Sequence, residues 1–353
     1  MIEQTYLQWL AQNTNTRWWN DSANTGELMM AIEHGASGVT TNPLLTLSAL
    51  KTSKNAWIAE AKQVPARFPR SSERAEEYVH LVASRTAELF ADVFHRSGAE
   101  DGYVCAQVDP GIASNREAML SMAKRFASWA PNIAVKLPAN EAGLDILELC
   151  ISEGITVTAT VSFTVAQIVA IAERYRRGID RANRNEKQPG RCFAVIMIGR
   201  IDDYLKDMAK DNKTALTETQ LNWAGLAITK RAYRIYREKG YKAKLCVAAL
   251  RGSYHLTELA GADLVMSIHP KYQKPLFSDE LPCEKLIDKP VPQNIIEQLL
   301  QLPEFVRAYE PDGLQPREFF GFGVFQRTLT QFRESGWRLL EQHDFNHSAR
   351  FVK

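Results

Sequence analysis

The chain has 353 residues, and its 43 lysines and arginines nearly balance 41 aspartates and glutamates, for a formal net charge of +2. Charges of both signs are interspersed along the whole sequence, which argues against the clustered basic excess of a nucleic-acid-binding protein. With 45% apolar and 9% aromatic residues and no low-complexity block, the composition is that of a globular chain with a large core.

The opening segment MIEQTYLQWLAQNTNTRWWND has no charged-then-apolar leader pattern, and no apolar run approaches the roughly 20 residues of a membrane span. A cytoplasmic protein without a membrane partner is expected. From there to about residue 270 a short apolar strand followed by an amphipathic helix recurs. Strands are predicted at Thr16–Asp21, Ala36–Asn42, Tyr103–Asp109, Asn132–Pro138, Thr156–Phe163, Cys192–Gly199, Ala243–Ala249 and Asp263–His269. Eight parallel strands alternating with helices predict an α/β fold, a single (β/α)8 TIM barrel with its chemistry at the strands' C-terminal ends.

Between these strands, Ser71–Gly98 reads as one long helix within a helical insertion at about 44–99, outside the barrel. Ser114–Ala130 reads as a helix with a Ser114 cap that ends before Pro131. The polar stretches Arg181–Arg191 and Ala209–Thr219 read as solvated excursions. Past His269 the strand signal stops, and 271–353 predicts a helical extension that covers the barrel and buries its aromatics. The five cysteines, Cys105, Cys150, Cys192, Cys246 and Cys283, are odd in number and widely spaced, with no CxxC pair, so buried free thiols are expected and no metal site.

Side chains alternate along a barrel strand, so polar residues at the last inward positions line the barrel's mouth. Lys136 interrupts the apolar run NIAVKLP in this way. It is either half of a structural salt bridge or a desolvated amine able to attack a ketone. Other strand ends are polar too: Asp21 on the first, Asn42 on the second, Gln107 and Asp109 on the third. Thr158, Thr160 and Ser162 alternate along the fifth and are expected on one face, as candidate substrate contacts. Singly, Asp21 and Asn42 could be helix N-caps and the hydroxyls ordinary strand residues. Arg200 follows VIMIG and Arg251 follows CVAAL, which is where an oxyanion such as a phosphate would be held. His34, His80, His95, His343 and His347 show no ligand spacing and read as structural or solvated; His269, at the end of the last strand, stays open.

At these residues the sequence resembles the transaldolases. GVTTNP (Gly38–Pro43), QVDP (Gln107–Pro110), IAVKLPANEAG (Ile133–Gly143), TATVSFTVAQ (Thr158–Gln167), IGR (Ile198–Arg200) and the spacing from Arg251 to Gly261 follow that family's pattern in order, over most of the chain. The resemblance implies a class I aldolase barrel, with Lys136 forming a Schiff base and Asp21 acting as acid and base on the C4 hydroxyl. It further implies that Asn42 binds substrate beside the lysine, Thr160 positions a proton-shuttling water, and Arg200 and Arg251 hold a sugar phosphate. The protonated imine is then the electron sink, so no cofactor is called for. An enzyme of the pentose phosphate pathway, monomeric or homodimeric, follows from the same resemblance.

Transaldolases usually carry a glutamate at Gln107, an asparagine at Thr158, an aromatic residue at Met197 and a serine at Ala249. Gln107 instead resembles the fructose-6-phosphate aldolase branch, which has a shorter chain and a tyrosine at Met197. A carboxamide can orient water but cannot take its proton. The leading expectation is a transaldolase moving a dihydroxyacetone unit from a ketose phosphate to an aldose phosphate. Direct aldol cleavage, action on a sugar with another anionic group, and a non-catalytic sugar-phosphate-binding barrel are the alternatives.

Overall fold

The computed structural model describes residues 5–52, 57–277 and 281–343. All eight expected strands are present: β1 Arg17–Asn20, β2 Gly38–Val39, β3 Tyr103–Gln107, β4 Ile133–Pro138, β5 Val157–Thr160, β6 Cys192–Met197, β7 Lys244–Ala248 and β8 Leu264–Ile268. They pair in sequence order, and β8 closes on β1 with Arg17 opposite Val265 and Asn20 opposite Ile268. Every pairing is parallel, as the expected (β/α)8 TIM barrel requires. All residues of β3, β4, β5, β6 and β8 are buried, because helices cover the outside while side chains fill the inside. That two-sided burial is why these strands read as continuous apolar runs.

Each strand is shorter than its sequence signal, and at several predicted ends the polar residues belong to helix and turn caps. Asn42 caps the helix Pro43–Lys51, Asp109 caps the short turn Pro110–Ile112, and His269 caps Pro270–Gln273. The third of these settles His269 as a helix cap. Two helices differ from expectation. Asn115, not Ser114, caps Arg116–Ala127, since its side chain is the one that reaches the Ala118 amide. The segment predicted as one helix from Ser71 to Gly98 divides into Ser71–Leu89 and Ala91–Arg96. Phe90 is fully buried at that break, and the turn sets the Phe94 ring edge-on to Tyr103 of β3 at 5.4 Å. The two polar excursions shrink, since helices run to Arg184 and Asp211 and a new one starts at Glu218.

After β8 the described chain continues as short helices that bury Phe305, Phe319, Phe322, Phe325, Phe332 and Trp337, while Phe320 remains partly exposed. This extension reaches the strands' C-terminal ends. Gln331 bonds to Arg200 after β6, and a side chain at Gly336 would meet Pro43 and the Leu44 amide after β2. The turn Arg333–Trp337 that makes the second approach is π-helical. Four cysteines are buried and Cys283 is exposed, all free. Burial pushes the Cys150 thiol up to about 12 and Cys192 further. His343 is buried against Tyr78, and His347 lies outside the described residues. Among the described residues no helix is long and apolar enough to cross a membrane.

The segment after β4 shows how tightly the mouth is built. Asn140 caps the helix Glu141–Ser152 through the Gly143 amide at 2.9 Å, and its own amide donates to the Ala113 carbonyl. A Cβ on Gly143 would lie 1.8 Å from the Pro138 carbonyl oxygen, which is backbone and cannot swing aside. Gly143→Ala should therefore cost about 1–3 kcal/mol by overpacking, read as a lower urea midpoint at unchanged slope. An unaltered midpoint would contradict this close fit.

Candidate active site

Lys136 is the third residue from the end of β4, with Gln107 of β3 and Thr158 of β5 as its register partners. It is 5% exposed, and its Nζ donates to the Thr41 carbonyl at 3.2 Å. Thr41 is itself held by a 2.6 Å bond from its hydroxyl to the Cys105 carbonyl. Among the described residues no carboxylate lies within 4.0 Å of the amine, so the salt-bridge alternative does not apply. Ammonium burial without a counter-charge is costly. Lys136 and Asp21 also share one interior: the fields of both reach the buried thiols of Cys105 and Cys246, the lysine lowering and the aspartate raising their pKa, while burial dominates and pushes both up.

Asp21 follows β1 directly, and a hydroxyl relay supports it. Thr40 donates to Asp21 Oδ1 at 2.6 Å, and since its one proton is so used, Ser267 must donate to Thr40 at 2.5 Å. This leaves Asp21 Oδ2 as the second acceptor of a carboxylate whose orientation is fixed. At Asn42, Oδ1 accepts from the Leu44 and Leu45 amides, so the cap reading is correct. The same bonds fix the carboxamide's orientation and leave Nδ2 as its unengaged end. Gln107 is 4% exposed, and its Oε1 is a buried acceptor with no partner among the described residues. The Thr160 hydroxyl donates to the Met197 sulfur at 3.9 Å, while the Thr158 hydroxyl meets the Cys105 thiol at 3.3 Å.

Ser162 departs from expectation. The strand ends at Thr160, and Val161 takes a left-handed φ of 55°, which a β-branched residue rarely adopts. That turn breaks the alternation that would have set Ser162 beside Thr160. The Ser162 hydroxyl donates instead to the Val195 carbonyl of β6 at 2.5 Å and is fully buried. It ties the end of β5 to β6.

Arg251 stands close enough to Arg200 for its charge to act on the Arg200 guanidinium. Gly199 makes this approach possible, because a Cβ there would lie 2.6 Å from Arg251 Cγ and 2.2 Å from the Ala249 carbonyl oxygen. Arg200 Nη1 donates to Gln331 at 2.5 Å, its guanidinium lies 5.3 Å from the Phe332 ring, and its Nε is buried without a partner. Burial, then the Arg251 cation, push the Arg200 pKa down, with Asp203 and Asp21 opposing. Among the described residues no carboxylate is within 4.0 Å of it. Arg251 is better compensated: burial works against its charge, but Asp203, bonded at 2.6 Å, more than offsets this and the pKa rises. One guanidinium is thus paired and its neighbour is not, an arrangement that would gain from an anion.

The family model described as Transaldolase/Fructose-6-phosphate aldolase matches residues 18–315. The chain belongs to that family. It is 27% identical over 308 residues to a protein of Thiobacillus denitrificans named Transaldolase, covering 84% of this chain and 83% of that one. A Transaldolase of Kocuria rhizophila is 27% identical over 224 residues, 61% of this chain and 59% of the relative. Transaldolase 2 of Nostoc punctiforme is 31% identical over 188 residues, 52% and 49% of the two chains. These matches agree with the expected enzyme class.

Several residues of this family member's mouth escape a reading of strand ends alone. Thr40 and Thr41 lie inside GVTTNP, yet their hydrogen bonds to Asp21 and the Cys105 carbonyl depend on strand closure. Gln273 donates to both the Asn20 side chain and the Ile268 carbonyl, at 2.7 Å each, tying β1 to β8 beside Asp21. Gln331 arrives from 131 residues beyond Arg200. Two clefts of about 580 Å³ open along the outer helix Ala224–Lys239, but Lys230, Arg231 and Arg237 there are already paired with Glu258, Glu310 and Asp288. The correction at Ser162 is testable: Ser162→Ala should lower stability by about 1–3 kcal/mol through the orphaned Val195 carbonyl while leaving kcat/KM at the parent value. A loss of kcat/KM at unchanged stability would return Ser162 to the substrate site.

Proposed function

We propose that this enzyme is a Schiff-base transaldolase that moves a dihydroxyacetone unit from a ketose phosphate to an aldose phosphate, the whole chain acting as one catalytic unit. The observation that carries this reading is the buried Lys136 amine near the end of β4, held among the described residues by one carbonyl and no counter-charge. Its neutral form adds to the donor's C2 carbonyl, water leaves, and the protonated imine accepts the electron pair released when the C3–C4 bond breaks. Asp21 takes the proton of the C4 hydroxyl through Oδ2, since Thr40 occupies Oδ1. The aldose phosphate departs, the enamine carbon attacks the incoming aldehyde, and Asp21 returns the proton to the new hydroxyl. Hydrolysis of the imine then frees the lysine and the new ketose.

Other groups take supporting roles in this proposal. Asn42 offers Nδ2 to substrate oxygens near the lysine, its other end being fixed by the helix it caps. Thr160 and Gln107 hold the water that enters and leaves during imine formation, and the unpartnered Gln107 Oε1 is the acceptor for it. Because an amide does not titrate, protons in that step pass to Asp21 or to the substrate itself. Thr158 lies beside the lysine across the β4–β5 register. Arg200 and Arg251 hold the phosphate, the unpaired Arg200 gaining most.

Gln107 also favours a second reading, direct aldol cleavage, in which the enamine is protonated and dihydroxyacetone released before an acceptor arrives. Product analysis separates the two. Fructose 6-phosphate with erythrose 4-phosphate should give sedoheptulose 7-phosphate and glyceraldehyde 3-phosphate, and without acceptor should give no sustained turnover. Steady release of free dihydroxyacetone without acceptor would overturn the transferase reading in favour of the aldolase.

A further inference from the structure

We infer that the buried pair Asp202 and His255 are positioning residues that set the backbone of Arg251, and through it the anion contact, against the helix that carries Arg200. The inference rests on the proposed phosphate-binding role of Arg251. Both side chains are fully buried, 0% exposed. Asp202 lies in the helix Ile198–Asp211, which also bears Arg200, and His255 lies in Ser253–Thr257, just after Arg251.

The hydrogen bonds run in one direction. Asp202 Oδ1 accepts from the Gly225 amide at 2.7 Å, and Oδ2 stands 2.8 Å from His255 Nε2. His255 Nδ1 is 3.2 Å from the Arg251 amide nitrogen. A backbone N–H can only donate, so Nδ1 must present its lone pair and the ring proton must sit on Nε2, facing the carboxylate. Asp202 thereby selects the tautomer that His255 needs to hold Arg251. The contact matters because β7 ends at Ala248 and no strand pairing fixes the chain beyond it. Ala249 there turns into the left-handed region, φ 59°, and aims its carbonyl at Arg251 Nη1, 2.7 Å away.

A fully buried carboxylate and imidazole are poor stabilisers, since an apolar pair of equal volume generally packs as well or better. What an apolar pair cannot do is hold the Arg251 amide and, by the same bonds, fix its distance from Arg200. The ring of Tyr254 packs on His255 at 4.2 Å, and the Gly225 backbone fits closely over Asp202, where a Cβ would lie 2.8 Å from Oδ1. The pair has no room to rearrange.

The test compares Asp202→Asn, His255→Leu and His255→Asn with Arg251→Ala as the reference for a lost phosphate contact. Two quantities are read: KM and kcat with fructose 6-phosphate, and borohydride trapping of dihydroxyacetone, which has no phosphate. In Asp202→Asn one oxygen serves Gly225, so the new amide must donate to Nε2 and drive the ring proton to Nδ1, against the Arg251 amide. Asp202→Asn and His255→Leu should each raise KM about tenfold or more while kcat and trapping change much less. His255→Asn, which keeps an acceptor near the Nδ1 position, should recover part of the loss. If Arg251→Ala raises KM selectively and the pair variants do not, positioning is overturned while the phosphate reading stands. If Arg251→Ala shows no selectivity for the phosphorylated donor, the phosphate reading fails, and the inference with it. Equal loss on both ligands in the pair variants would mean a merely structural role. Nitrogen-15 NMR of the parent protein needs no variant: a proton on Nε2 is expected, and a proton on Nδ1 overturns the proposal.

Discussion

Burying a lysine amine in a closed barrel is costly unless something compensates it, and among the described residues the one hydrogen-bond partner of the Lys136 amine is the Thr41 carbonyl. Much of the mouth is arranged around this constraint. Thr41 is braced to β3 and Thr40 to Asp21, so the two threonines of GVTTNP hold the surroundings of Lys136 and Asp21 from one short strand end. β2 is two residues long, and Gly38 in it lets Trp19 and the Tyr103 carbonyl close over the strand, where a Cβ would meet both at 2.7 Å. The brevity of that strand puts Thr40, Thr41 and Asn42 directly at the mouth.

The two arginines are held in different ways. Arg251 is fixed from several sides, by Asp203, by the Ala249 and Leu250 carbonyls and by His255, whereas Arg200 leans on an amide and an aromatic ring. Ala249, where the family usually has serine, supplies only a carbonyl, delivered by its left-handed turn. The contacts to Arg200 come from the C-terminal extension, which also packs on the segment beginning at Asn42. The segment after β2 and Arg200 after β6 are thus spanned by one stretch of chain, and changes in that stretch should be felt at both.

The fold was legible because strands buried on both faces are nearly uninterrupted apolar runs, and eight of them set a recognisable spacing. The lysine stood out for the same reason, as a cation where β4 should be apolar. Strand ends were overread, because Asn42 and Asp109 are polar both when they line a mouth and when they cap the next turn, and here they do cap it. Ser162 was misplaced because the left-handed turn at Val161 leaves no trace in residue type; valine is the last residue expected there. The long insertion helix was drawn through Phe90 because an apolar stripe continues across a bend. Asp202 and His255 were unreadable in principle from spacing, since the two are 53 positions apart and meet only when β6 and β7 pair.

Reduction with borohydride in the presence of fructose 6-phosphate, followed by peptide mapping, tests most directly whether the buried amine is the nucleophile. A covalent adduct of three or more carbons should appear on the peptide containing Lys136 and disappear in Lys136→Met. An adduct on another lysine, or none in an enzymatically active preparation, would contradict it.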